Sequence, residues 1–223
     1  MNCLLISGLS RNIERSYDNI LKSIIEPNNP DIFIHTWYNK PIDPTLESLI
    51  SKLYNPKKIV IEELRQWKNS TMNMDRMMES YAKPYNRDAF VNTIYSCWYS
   101  TQQANLLKEQ YRLENDIAYN YAIRARFDIN YSMPIDCSQY DNNILYLSNR
   151  DLPPEMLDDR FAFSSNEIIN ASYGSIFNFI DFVHSIRNQK DGIFCGETII
   201  YEICRMANIK HKKIPELVCS HVR

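Results

Sequence analysis

Two hydrophobic periods take turns along this chain. "CLLIS" (3–7) is an unbroken apolar run of the kind that a strand buried on both faces produces. Ile13, Tyr17, Ile20, Leu21, Ile24 and Ile25 then recur at helical spacing until Pro27 and Pro30 stop them. "DIFIHTW" (31–37) is a second buried run, and strand, helix and strand so closely joined predict a right-handed parallel crossover. A shorter helix from Pro44 to Tyr54 leads to a third strand, "KKIVIEEL" (57–64). From Asp88 to Glu114 the positions Phe90, Ile94, Cys97, Trp98, Thr101, Ala104 and Tyr111 keep a helical period, giving the longest helix, which delivers the chain to "YNYAIRARFD" (119–128).

A strand "NILYLS" (143–148), turn-rich "NRDLPPEMLDD", a strand "RFAFSS" (160–165), helices over 166–186 and 196–206, and a basic tail "IKHKKIPELVCSHVR" complete the pattern. Helices and strands alternate, so the expected class is α/β: a mostly parallel central sheet of about six strands with helices on both faces. Residues 1–223 read as one domain, alone or within a longer chain, with no internal repeat or linker. The polar stretch from Arg65 to Arg87 has no clean period; Met72, Met74, Met77 and Met78 suit a flexible surface segment better than a mobile flap.

Composition narrows the function classes. With 25 basic against 27 acidic residues and no charge run, the chain lacks the excess that nonspecific nucleic-acid binding needs. The opening "MNCLLISGLSRN" is too short an apolar run for a signal peptide, and no segment approaches the roughly 20 apolar residues of a membrane span, so a cytoplasmic location is expected. The six cysteines form no CxxC pair and read as buried thiols. Only four glycines exist, and none makes GxGxxG or GxxxxGK[ST]; a diphosphate here would have to be held by side chains and a metal ion.

The strand ends "SGLSR", "HTW" and "RARFDIN" are where such side chains collect, because ligands of open α/β sheets bind beyond the carboxyl ends of the strands. In "RARFDIN" (124–130), Asp128 and Asn130 flank Ile129, and both can turn oxygens to one point if Ile129 faces inward. A hard cation such as Mn²⁺ or Mg²⁺ would accept that pair, although Asp-x-Asn also fits a simple capped turn. Arg124 and Arg126 share one face of the strand and suit either an ion-pair network or an anionic nucleotide.

"ISGLSR", "DIFIHTW", "YAIRARFDIN", "DDRFAFSS" and "GETIIYEICRMANIKHKKI", in this order, resemble a set of small nucleotide-sugar-dependent glycosyltransferases of the GT-A fold, of the kind chlorella viruses encode for their capsid glycans. The resemblance spans essentially the whole chain. It implies a UDP-sugar donor, Mn²⁺ (or Mg²⁺) held by an Asp-x-Asp-type motif, and transfer of a glucose- or rhamnose-type hexose to a glycan or glycoprotein acceptor, in host cytoplasm if the protein is viral. Asp128 takes the first position of that motif. Asn130 departs from the second as a neutral ligand, and His221 matches a late histidine that some members add. Arg124 and Arg126 would neutralise the departing diphosphate. Asp158, Asp159 and Glu197 are the candidate bases if the reaction inverts. Gly8 and Arg11 fall where the uridine is held, with Gln103, one turn beyond Tyr99, within reach of the donor. His35 and Trp37 read as core or cavity wall. A sugar nucleotidyltransferase and a noncatalytic binding domain are the rival readings.

Overall fold

A computed structural model describes residues 1–38, 44–67, 87–189 and 192–222. Strand β1 (Asn2–Leu9) is followed by helix α1, which runs from Ile13–Ile20 through a π-helical turn, Leu21–Ile25, to Glu26–Asn28. It passes Pro27 by one residue instead of stopping there. Proline has no N–H to offer the Ser23 carbonyl, and the Ile135 N–H fills that acceptor at 2.8 Å. Then come β2 (Asp31–Tyr38), α2 (Leu46–Tyr54), β3 (Lys58–Glu63), the long α3 (Arg87–Glu114), β4 (Tyr121–Arg126) and β5 (Ile129–Tyr131). The chain continues with β6 (Leu145–Ser148), β7 (Ala162–Ser164), α4 (Asn166–Tyr173), α5 (Ile180–Gln189), α6 (Gly196–Met206), β8 (His211–Ile214) and β9 (Cys219–His221).

The central sheet has seven strands in the order β3-β2-β1-β4-β7-β6-β8, and β5 pairs with β9 in a small second sheet. β3, β2, β1 and β4 are mutually parallel; β7 is antiparallel to both β4 and β6, and β8 is parallel to β6. The expectation of a mostly parallel sheet flanked by helices holds. Its count of six missed β8, whose "HKKI" is exposed at three of four positions and carries no apolar alternation because it lies on the sheet edge. Charged side chains on an edge strand discourage further pairing. The single helix expected over 166–186 is divided into α4, a 3₁₀ turn at Ile176–Phe179 and α5. Met72, Met74, Met77 and Met78 lie outside the described residues.

The continuous apolar runs have a simple cause. On β1, Cys3 and Leu5 face a core shared with Val91, Ile94 and Trp98 of α3, while Leu4 and Ile6 face a second core with Ile13, Ile20 and Ile24 of α1. Successive side chains of a strand point to opposite faces, so a sheet covered twice needs apolar residues at every position. Leu4, Leu5 and Ile6 are wholly buried, each contributing about 1.5–3 kcal/mol. Among the described residues no helix is long and apolar enough to cross a membrane.

Strand order reverses between β1 and β4: β2 and β3 extend the sheet on one side of β1, and β4 is added on the other. In α/β sheets the crevice at such a reversal, beyond the carboxyl ends of the strands, is where ligands bind.

Candidate functional site

A cavity of about 610 Å³ opens at that reversal. Ser7, Gly8, Leu9 and Arg11 contribute the β1 end, Trp37 the β2 end, and Arg126 and Asp128 the β4 end. Phe90, Ile94, Cys97 and Trp98 of α3 form an apolar wall, and Asp159, Arg160, Gly196, Glu197 and His221 close the far side. Parallel register places Ser7 beside Arg126, so the two strand ends that carry the polar groups are neighbours.

Arg126 and Asp128 form a two-pronged ion pair, Nε to Oδ1 at 2.9 Å and Nη2 to Oδ2 at 2.8 Å. Burial raises the cost of ionising Asp128, but the Arg126 bonds and charge, helped by His221, outweigh it and hold the carboxyl below its ordinary range. His221 Nδ1 lies 3.7 Å from Asp128 Oδ2, because antiparallel pairing of β9 with β5 sets His221 opposite Ile129. Ile129 is wholly buried, as a converging Asp128 requires. Asn130, however, does not line the cavity; it pairs with Ser220 in the small sheet.

The other carboxylates differ in how they are engaged. Asp158 is wholly buried and saturated: Oδ2 accepts from Ser148 Oγ at 2.7 Å and from Arg160 Nη2 at 2.6 Å, while Oδ1 accepts from Arg160 Nε at 2.8 Å. Burial disfavours its charge, but Arg160 and Ser148 more than compensate, and its pKa is lowered. It is not in the cavity lining. Glu197, near the start of α6, lines the cavity and accepts from Arg150 Nη1 at 2.6 Å. Asp159 lines the cavity with no hydrogen bond to its side chain among the described residues; its carboxylate packs against Gly196, where a Cβ would meet Oδ2 at 2.8 Å.

Arg124 does not line the cavity. Its guanidinium is wholly buried, donates to the Asp159 backbone carbonyl, and lies 5.2 Å and 5.5 Å from the ring centres of Trp98 and Tyr173. Its reach is therefore structural: it fixes the backbone that carries Asp159. Gln103 of α3 also lies outside the lining.

Gly8 has φ +114°, a conformation that side chains rarely adopt, and a Cβ there would meet nothing within 4 Å. Its polar groups are already used: the N–H donates to Ser100 Oγ at 2.9 Å and the carbonyl accepts from Thr36 Oγ1 at 2.8 Å. Gly8 thus offers open space beside the cavity. Arg11 lines it with no partner among the described residues. His35 is buried with Nδ1 at 2.8 Å from Ser100 Oγ, and Ser100 Oγ donates to the His35 carbonyl at 3.0 Å. Since a hydroxyl has one proton, Nδ1–H is the donor, and Nε2 is left 3.9 Å from Glu62 Oε1 with no hydrogen bond among the described residues. Burial, reinforced by the nearby Arg65 charge, pushes the His35 pKa down to about 3.

The structure thus brings Gly8, Arg11, Arg126, Asp128, Asp159, Glu197 and His221 to one cavity, and leaves Arg124, Asn130, Gln103 and Asp158 outside it. Sequence reasoning gave no role to Arg65, Arg150 and Arg160, which add charge to the lining, or to Ser100, which ties α3 to β1 and β2. Arg160 had a local signal, two residues after Asp158. Ser100 had none, since it is one polar position among several on a long helix.

The Asp128 carboxylate suits a hard cation and the His221 imidazole a transition ion, so the pair fits Mn²⁺ better than Mg²⁺; among the described residues no group of three or more His, Cys, Asp and Glu converges. A cation at this point would have two protein ligands and would need the rest from phosphate oxygens and water.

No known family pattern matches the chain. No curated protein matches it in sequence. Solved structures do match it. Core-mannan synthase A (CmsA/Ktr4) from Aspergillus fumigatus, in its Mn/GDP form, is similar over 100% of this chain and 75% of its own, with a TM-score of 0.55 and 12% identity. The mannosyltransferase Ktr4p from S. cerevisiae, in complex with GDP, is similar over 99% and 70%, with a TM-score of 0.51 and 12% identity. At such identity the likeness is one of fold. A mostly parallel seven-stranded sheet with helices on both faces, superposable over its length on these two transferases, gives this chain the GT-A fold.

Proposed function

We propose that this protein is a metal-assisted nucleotide-sugar glycosyltransferase, moving a hexose of glucose or rhamnose type from a UDP-sugar to a glycan or glycoprotein acceptor. The observation that carries the reading is the cavity itself. At the topological reversal of a GT-A sheet, five arginines (Arg11, Arg65, Arg126, Arg150, Arg160) face three carboxylates (Asp128, Asp159, Glu197). Arg65 and Arg160 are paired outside the lining with Glu62 and Asp158, so the charge is balanced, but fixed guanidinium donors with Arg11 uncommitted among the described residues suit a diphosphate in a protein with no glycine-rich cradle.

Asp128 and His221 are the residues that would hold the divalent cation. When bound, it supplies Lewis-acid neutralisation of charge growing on the leaving diphosphate. The chain's own groups do the rest. Arg126 and Arg11 bind and orient the diphosphate from the β4 and β1 ends, at a site already organised by neighbouring strands. Phe90, Ile94 and Trp98 exclude water from one wall and offer apolar surface to a sugar ring. Asp159, the cavity carboxylate with no hydrogen bond to its side chain among the described residues, takes the proton from the acceptor hydroxyl in an inverting course. Arg124 positions it through the backbone. Glu197, held by Arg150, is the second candidate for that proton.

Thermal unfolding with UDP, GDP and CMP, each with and without Mn²⁺ and Mg²⁺, tests the reading. At about 100 times the dissociation constant a ligand adds roughly 2.7 kcal/mol, which for a chain of this size is a rise on the order of 5–10 °C. UDP is expected to produce it only with metal. A response to GDP alone, the nucleotide of both solved relatives, would keep the transferase and replace the donor. Indifference to every nucleotide would reject the proposal in favour of a noncatalytic domain. Donor hydrolysis or transfer lost in Asp128→Ala then separates enzyme from binder.

A further inference from the structure

The cation-binding carboxylate of the proposed site is already occupied by a cation of the chain's own. Both oxygens of Asp128 are taken by Arg126, at 2.9 Å and 2.8 Å, in the planar two-pronged geometry that guanidinium and carboxylate share. His221 Nδ1 stands on the same side, 3.7 Å from Oδ2. Arg126 lines the cavity and has a second anionic group within its electrostatic reach, Asp159. The pair is only partly exposed, 24% and 23%, so solvent weakens it less than it would on an open surface. Each Asp128 oxygen keeps a second lone pair while it accepts from Arg126, but the adjacent guanidinium charge repels a divalent ion and weakens its binding to Asp128.

We infer that Arg126 is a built-in placeholder for the metal, and that it makes cation binding conditional on the nucleotide. This rests on the proposed function. Paired with Asp128, Arg126 neutralises the carboxylate and weakens its hold on a metal. When a nucleoside diphosphate enters, its phosphate oxygens offer Arg126 an equivalent two-pronged acceptor. The guanidinium moves to them and frees Asp128, and the cation then binds Asp128, His221 and the phosphate together. The arrangement explains how a site with two protein ligands can be selective: metal without nucleotide meets a carboxylate already neutralised by Arg126, and nucleotide without metal leaves Asp128 uncompensated beside its phosphates. Binding of the two is therefore mutually reinforcing.

Mn²⁺ affinity is to be measured on the full chain by electron paramagnetic resonance of the free ion, in the presence and absence of UDP and of GDP, for the wild type, Arg126→Met, Arg126→Lys and Asp128→Asn. The wild type is expected to bind Mn²⁺ weakly alone and at least about tenfold more tightly with the nucleotide it prefers. Arg126→Met should bind Mn²⁺ alone roughly tenfold more tightly than the wild type and lose most of the enhancement by nucleotide. Arg126→Lys keeps the charge but loses the two-pronged grip, so it should fall between them, and Asp128→Asn should bind metal poorly in every condition. Unchanged or weaker Mn²⁺ binding in Arg126→Met, with wild-type coupling, overturns the placeholder while leaving the transferase intact. Arg126→Lys behaving as the wild type overturns the grip in favour of charge alone. Absence of both Mn²⁺ and nucleotide binding in the wild type overturns the proposed function and this inference with it. Thermal unfolding of each variant at neutral pH identifies any that is misfolded, and Arg126→Gln replaces Arg126→Met in that event.

Discussion

Adjacent aspartates with opposite roles show how little a residue's identity says about its work. Asp158 is wholly buried and accepts from Arg160 and Ser148, whereas Asp159 turns its carboxylate to the cavity. Breaking a buried ion pair by removing one charge leaves the other uncompensated. Asp158→Asn is therefore expected to destabilise the fold by about 3–5 kcal/mol in urea unfolding. Asp159→Asn should change stability by less than about 1 kcal/mol while lowering transfer at least about 100-fold, as loss of a general base does. Equal stability losses in the two would show that Asp159 is structural. His35 makes a pH prediction. Its pKa falls from an ordinary 6.5 to about 3, with Glu62, Arg65 and Tyr99 around its ring. The unfolded chain takes up the proton near pH 6.5 and the folded one does not, so this part of the stability is complete above pH 6.5 and is lost as pH falls toward 3. Relative to His35→Gln, which has no such proton, the wild-type advantage should narrow by up to about 1.4 kcal/mol per pH unit below 6.5, read from urea curves at stepped pH.

At the scale of elements, α3 is the part that ties the site together. It packs across β1 and β2, and Ser100 on its inner face accepts the Gly8 N–H and the His35 Nδ1–H while donating to the His35 carbonyl. Ser7 Oγ and Thr101 Oγ1 make a second tie at 3.1 Å. One hydroxyl thus satisfies groups from two strands. Ser100→Ala leaves a partly buried N–H on β1 and a buried Nδ1–H on β2 without an acceptor and should cost about 1–3 kcal/mol. Because the strand ends it secures are cavity wall, nucleotide affinity should fall as well, measurable by titration calorimetry. A loss of stability with unchanged affinity would mean that the β1 end keeps its shape without α3. The alternating periods of β1, α1, β2, α2, β3 and α3 were legible at this scale because each element buries a face of its own. β8 and the break between α4 and α5 were not, since an exposed edge strand lacks alternation and a 3₁₀ turn with Ile176 buried keeps the apolar content of a helix.

For the molecule as a whole, strand order decides where chemistry can happen. The continuous apolar runs were enough to place an α/β sheet, and the scarcity of glycine to exclude a glycine-rich phosphate loop, because burial on two faces and backbone freedom are properties of local sequence. They were also enough to bring "RARFDIN" to a strand end. Which of its residues reach the cavity depended on contacts across the chain. Arg124 and Arg126 alternate with the same face of β4, yet Arg124 is drawn under Trp98 and Tyr173 while Arg126 emerges at the strand end against Asp128. Asp128 and His221 are 93 positions apart in a chain of 223, and only the pairing of β5 with β9 makes them neighbours. Asn130, the middle residue of β5, is turned to the small sheet by that pairing. Local pattern specifies which elements form and which faces they bury; long-range strand pairing specifies which side chains meet, since contacts between distant segments leave no period in the sequence to be read.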